Sequence, residues 1–238
     1  MIEIDEIIED TVQGLTNPAL CKGSDGEKYI VKGRAAQNSG LKNEYVCAYL
    51  GQKFGLAIPD FSLVTFPNTL LEFDNDLDRR FGNGPCFASR YHPRFQEFDR
   101  SSYSQNNAQF FKDLFVFDFW IKNDDRNFVP ENGGNPNLIV DSQRSKILVI
   151  DHNLAFDDQF DLESFKLRHV GCKYWFDEQL DMFTKGQYKE RMSNALEGLE
   201  DFLQTLPHEW CDDDPDILQT IYEKLSSYNT DSFWSDIR

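Results

Sequence analysis

Short apolar runs broken by turn residues fill residues 1–90, and the spacing then shifts towards helical periods. Residues 1–9 read as a short strand or helix that leads into a hairpin. Residues 19–22 and the run Lys28-Tyr29-Ile30-Val31-Lys32 are strand candidates, separated by Gly23-Ser24-Asp25-Gly26. The Asp-Gly pair predicts a primed turn, whose central residues need positive φ. A helix follows over about 41–54, where Val46, Leu50 and Phe54 recur at helical spacing and Gly55 takes the C′ place. Residues 61–66 read as a strand, 74–80 as a polar, solvated loop, and 86–91 as another strand closed by His92-Pro93.

The stretch 106–122 is a strongly aromatic helix. Phe110, Leu114, Phe117 and Ile121 form one stripe, and Phe111, Phe115 and Phe119 cover much of the remainder, which predicts near-complete burial. Asp118 lies inside this helix and must find a partner or a proton. Pairing with Arg126 or a backbone group would let it brace the loop beyond the helix. Residues 137–140 and 147–150 form a second hairpin. Tyr188, Met192, Ala195, Leu196, Leu199 and Leu203 make one amphipathic helix, and Asp214-Pro215 opens another. The order predicts an α+β chain in two lobes. Residues 1–90 form a β-rich N-lobe and residues 91–238 a mainly helical C-lobe, with a cleft between them.

Composition narrows the function classes. Hydrophobic residues at 40% and aromatics at 14% mark a globular chain. The formal charge of −17 argues against a nucleic-acid partner, whose phosphates attract Lys and Arg, and against an anionic membrane surface. No apolar run approaches the ~18 residues a membrane span needs, and the acidic start lacks the basic region of a secretory signal. These features read as soluble and cytoplasmic. Cys21, Cys47, Cys86, Cys172 and Cys211 are odd in number and widely spaced, so they suit buried thiols better than disulfides or a zinc site. His92, His152, His169 and His208 lack metal-ligand spacing.

Four polar clusters stand in a telling order: Val31-Lys32 ending a strand, Glu44 early in the next helix, Asn123-Asp124-Asp125-Arg126 after the aromatic helix, and Asn137 with Ile150-Asp151-His152 around the second hairpin. Phosphoryl transfer needs such an inventory. A lysine holds phosphates, an acid holds the lysine, a carboxylate orients the attacking hydroxyl, and amide and carboxylate oxygens hold magnesium.

The segments KYIVKGRAAQNSGLKNEYVCAYLGQKFGLAIP, FVFDFWIKNDDRNF, NPNLIV and ILVIDHNLAF, in this order, resemble the HipA-like kinases, in particular short members limited to the kinase core. The resemblance implies a bilobal, protein-kinase-like fold that binds ATP and Mg2+. It makes Lys32 the phosphate-holding lysine, Glu44 its partner and Asp125 the catalytic acid/base. Gly14, Leu15 and Thr16 then belong to the loop over the phosphates. The backbone around Phe87, Ala88, Ser89 and Arg90 serves as the adenine-binding hinge, and Asn137 and Asp151 hold the metal. The acceptor implied is a Ser or Thr hydroxyl on a protein substrate, the chain itself included; a small-molecule or lipid kinase and a nucleotide-binding pseudokinase are the alternatives. The family usually spaces its acid and asparagine as D-x-x-x-x-N, whereas Asp125 and Asn137 are separated by an insertion around Gly133-Gly134.

The second hairpin also sets a geometric expectation. If its strands turn over residues 142–145 with Leu138 facing Ile150 and Ile139 facing Val149, Asn137 stands opposite Asp151. Their Cα atoms would then be about 4.5–5.5 Å apart.

Overall fold

A computed structural model describes residues 1–10, 16–72, 74–99, 104–128, 134–143, 145–177, 179–211 and 216–238. It is a mixed α/β structure whose strands gather early in the chain. Strands β1 (Ile2–Asp10), β2 (Ala19–Gly23), β3 (Lys28–Lys32), β4 (Phe61–Thr65) and β5 (Cys86–Arg90) close into a barrel of order β1-β2-β3-β5-β4. All its neighbours are antiparallel except β1 and β4, which meet in parallel at Ile2↔Val64 and Glu3↔Thr65. Ile4, Ala19, Cys21, Tyr29, Val31, Val64, Cys86 and Ala88 fill the barrel, as inward positions of alternating strands should.

The β2–β3 connection differs from the primed turn expected. Gly23 pairs with Glu27 by a 2.9 Å hydrogen bond, Gly26 N–H returns to the Gly23 carbonyl, and only Gly26 has positive φ, +83°. This is a three-residue loop ending in a left-handed glycine, so Gly, not the Asp-Gly pair, carries the turn.

Helix α1 (Gln37–Phe54) ends as expected on left-handed Gly55 but begins a turn earlier than the apolar spacing suggested. Its Val46, Cys47, Leu50 and Phe54 belong to the large core of the helical half, so α1 is shared between the barrel and that half. After the short α2 (Asn68–Leu71) comes α3 (Asn75–Arg80), where the sequence suggested a solvated loop. The Asp74 carboxylate accepts from the N–H groups of Asp76 and Leu77 and starts the helix. Arg80 at its end is buried, donating to Asp10 Oδ1 at 2.7 Å and to the Asn17 carbonyl.

The aromatic helix α4 (Ala108–Trp120) is the axis of the large core, with Phe111, Leu114, Phe115, Phe117, Phe119 and Trp120 all buried. Around it lie α5 (Leu162–Arg168), α6 (Cys172–Phe176), α7 (Met182–Leu196), α8 (Leu199–Leu203), α9 (Ile217–Ser226) and α10 (Asp231–Asp236). The amphipathic stripe expected to form one helix through Leu203 is divided into α7 and α8 by Gly198, at φ +75°. The break brings Phe202 onto Tyr49, with ring centroids 4.1 Å apart. Asp214 and Pro215 lie outside the described residues. Among the described residues no helix is long and apolar enough to cross a membrane.

Strands β6 (Phe95–Glu97), β7 (Leu138–Asp141) and β8 (Lys146–Val149) form a second sheet. Its β7–β8 register is one step from the expectation: Leu138 pairs with Val149 and Asp141 with Lys146. A four-residue turn between Asp141 and Lys146 requires this sum of positions. Ile150 N–H therefore bonds the Asn137 carbonyl at 3.1 Å, and Asn137 stands opposite Ile150, not Asp151.

Candidate active site

The end of β3, the first half of α1 and the residues after β8 converge on one buried ion cluster. Lys32 Nζ lies 2.5 Å from Glu44 Oε1 and 2.7 Å from Asp151 Oδ1. The other Glu44 oxygen accepts the main-chain N–H of His152 at 2.9 Å. Asn43, one residue earlier on α1, donates to the carbonyls of Asn153 and Ala155. Helix α1 thus holds both the lysine and the chain beyond Asp151.

The electrostatics derive from this geometry. Burial works against the Lys32 charge, but Glu44 and Asp151 more than offset it and hold the lysine pKa above its ordinary value. Burial would raise Glu44, yet Lys32 and His152 outweigh it and hold the carboxyl well below the usual range. Lys32 and Glu44 are therefore both charged at neutral pH. The His152 ring has Nδ1 3.8 Å from Glu44, and its buried Nε2 has no hydrogen-bond partner among the described residues.

Asp125 is near enough to Asp151 for their charges to interact. Its Oδ2 accepts from Asn137 Nδ2 at 3.1 Å. Burial raises the Asp125 pKa, Asn137 opposes that, and the neighbouring Asp151 charge adds to it. The structure thus brings Lys32, Glu44, Asp125, Asn137 and Asp151 into one neighbourhood. Asn137 and Asp151 do so despite the shifted register, because both leave the strand ends with left-handed backbones, φ +48° and +61°.

Beneath this site lies a polar hub. Asp118 and Arg126 are fully buried, with Arg126 Nε 2.8 Å from Asp118 Oδ2. His169 Nε2 donates to the same oxygen at 2.8 Å, while its Nδ1 accepts the Gly171 N–H. Burial lowers the His169 pKa, consistent with this neutral tautomer. Asn123 Nδ2 donates to Asp118 Oδ1 at 3.0 Å. Burial would raise Asp118, but Arg126 and His169 bring it down to about 2. The sequence left Arg126, a backbone group or a solvent gap open for Asp118, and the structure selects Arg126; nothing in the sequence signalled His169, 51 positions along the chain from Asp118.

The remaining candidates lie on the barrel strands or just before them. Gly14 and Leu15 lie outside the described residues, and Thr16 is half-buried in a turn. Phe87, Ala88 and Ser89 pair with β3 on one side and β4 on the other, so their main-chain groups are committed to the barrel. Arg90 ends the strand, 2.7 Å from the Asp60 carbonyl through its N–H. Among the described residues no three His, Cys, Asp or Glu side chains gather as a protein-only metal site. The donors present near Asp125 are an amide and two carboxylates. Such hard oxygens suit Mg2+, which takes few protein ligands and completes its shell with water and phosphate.

A family model described as HipA-like kinase matches residues 4–237 of the chain. Among solved structures the chain is similar to a Helicobacter pylori proinflammatory kinase, CtkA, at 13% identity and a TM-score of 0.58. The alignment covers 100% of this chain and 96% of that one, and the likeness is one of fold. No curated protein matches.

Proposed function

The chain belongs to the HipA-like kinase family, and from that premise we propose that it is an ATP- and Mg2+-dependent kinase of protein Ser/Thr hydroxyls. The observation that carries the reading is the buried Lys32–Glu44 pair facing Asp151, with Asp125 and Asn137 beside it. Lys32 holds the α/β-phosphates, and Glu44, itself held by the His152 N–H, fixes the ammonium. Asn137 and Asp151 would hold Mg2+, which when bound neutralises charge on the phosphates. Asp125 orients the acceptor hydroxyl and takes its proton; burial raises its pKa, which strengthens it as a base.

The reading divides the chain at about residue 90 into a barrel lobe and a helical lobe. Gly14, Leu15 and Thr16 cover the phosphates. Phe87 to Arg90 border the adenine through side chains and the segment leaving the strand, since the strand's own main chain is paired on both edges. All five cysteines are free thiols, which supports a reducing compartment such as the cytoplasm.

Thermal unfolding with ATP and Mg2+, followed by mass spectrometry of added proteins and of the chain itself, tests the reading. At a hundredfold excess over Kd a ligand of the folded state adds about 2.7 kcal/mol. A clear shift with phosphate on Ser or Thr supports it. No shift overturns nucleotide binding, and turnover only with a metabolite or lipid acceptor overturns the protein substrate.

A further inference from the structure

The two residues assigned to the metal share an unusual property. Asn137 and Asp151 both have left-handed backbones, φ +48° and +61°, a region that Asn and Asp enter more readily than other side-chain-bearing residues but that still favours glycine. They flank the hairpin of β7 and β8 at its open end. One side chain reaches the main chain at both places.

That side chain is Arg126, fully buried. Its Nη1 donates to the Asn137 carbonyl at 2.7 Å and the Ile150 carbonyl at 3.0 Å, with Pro136 at 3.2 Å. Its Nη2 reaches towards the Asp151 carbonyl at 3.5 Å. From behind, Nε is fixed by Asp118, which His169 and Asn123 hold in turn. The guanidinium is a rigid planar fork that serves several acceptors at fixed angles; a lysine ammonium in the same place is a single point. Rotation of either peptide out of its left-handed conformation would break these bonds and swing the Asn137 amide away from Asp125, or Asp151 away from Lys32.

We propose that Arg126 is a positioning residue for the metal: it holds the main chain of Asn137 and Asp151 so that their side chains meet the ion, without touching it. This rests on the assignment of those two residues as metal ligands. Partners one step removed from a metal commonly change its affinity roughly ten- to a hundredfold when altered.

The test uses the full chain with Mn2+ as the probe, free ion read by electron paramagnetic resonance, in the presence of a non-hydrolysable ATP analogue. Arg126→Lys keeps the charge and loses the fork. It should raise the Mn2+ Kd roughly ten- to a hundredfold, while the analogue's affinity without metal stays within about twofold of the parent. Circular dichroism checks the fold. If Arg126→Lys does not fold, the double variant Asp118→Asn with Arg126→Gln removes the fork without leaving a buried orphan charge, and the same rise is expected. A folded variant with parental Mn2+ affinity overturns the proposal. Loss of the fold in both variants also overturns it, since Arg126 would then serve general stability. Asn137→Ala and Asp151→Asn separate the two levels. If neither weakens Mn2+ binding, the metal assignment itself fails; if they do and Arg126→Lys does not, only the role of Arg126 fails.

Discussion

Replacing Lys32 by Met should destabilise the protein in a way that depends on pH. Methionine fills similar volume but leaves the Glu44 carboxylate, 2% exposed, with the His152 N–H and without a counter-charge. Removing one partner of a buried pair costs about 3–5 kcal/mol, a large part of the roughly 5–15 kcal/mol that holds a domain folded. Asp151 is more open to water, at 28%, so its loss of Lys32 adds less. In the parent, the Glu44 pKa lies below its unfolded value. Its contribution is therefore full above about pH 4.3 and fades as pH falls through that value towards the folded pKa. In the variant, burial acts unopposed by the lysine and pushes the pKa above the unfolded value. Its cost is then full at neutral pH and relieved as the carboxyl protonates. The Lys32 pKa is raised, so its own window opens only above about pH 10.4, outside the assay. Urea unfolding at neutral pH and near pH 4.5 should show the parent–variant gap shrinking on acidification. Lys32→Met combined with Glu44→Gln should recover most of the stability at neutral pH. A gap independent of pH, or no recovery in the double variant, would refute the argument.

Asp125→Asn should leave the ATP-induced rise in Tm nearly intact while phosphate transfer falls by at least about a hundredfold, the size expected for a lost general base; retention of transfer would point to Asp124. Asp118→Asn leaves buried Arg126 without its counter-charge, so urea unfolding should report a loss of about 3–5 kcal/mol. Two glycines should fail for different reasons. Gly55, at φ +98° with only Arg191 near an added Cβ, should lose about 1–2 kcal/mol on change to Ala and much less to Asn, which tolerates the left-handed region. A Cβ added at Gly33 would lie 2.6 Å from the Phe81 Cα, so Ala and Asn should be comparably destabilising there, as measured by Tm.

How far the sequence reached depended on the distance over which each signal acts. The strands of the first hairpin, the Gly55 cap and the buried face of α4 were legible because turn residues and apolar spacing are local. Helix α3 was missed because only Leu77 breaks its polarity, although Asp74, with acids behind it, is an N-cap signal. The division of α7 from α8 was missed because the apolar stripe runs straight through Gly198, whose left-handed backbone interrupts it. The site residues came from motif order, and the geometry joining them did not. The register of β7 and β8 turned on one position in a turn. Arg80, Asn43 and His169 owe their burial to partners far along the chain, Asp10, Asn153 and Asp118 among them.

The parallel contact of Ile2 and Glu3 with Val64 and Thr65 has a bearing on how the chain behaves in company. A sheet that closes on itself offers neighbouring molecules no row of unpaired N–H and C=O groups, and so no template for strand addition. Here the seal is made by the first strand. Proteolytic loss of residues 1–10, or an expression tag that pulls them away, would uncover β2 on one side and β4 on the other at once. Truncated molecules would then present two complementary edges, suited to open-ended pairing, and light scattering should find soluble aggregates where the intact chain stays dispersed.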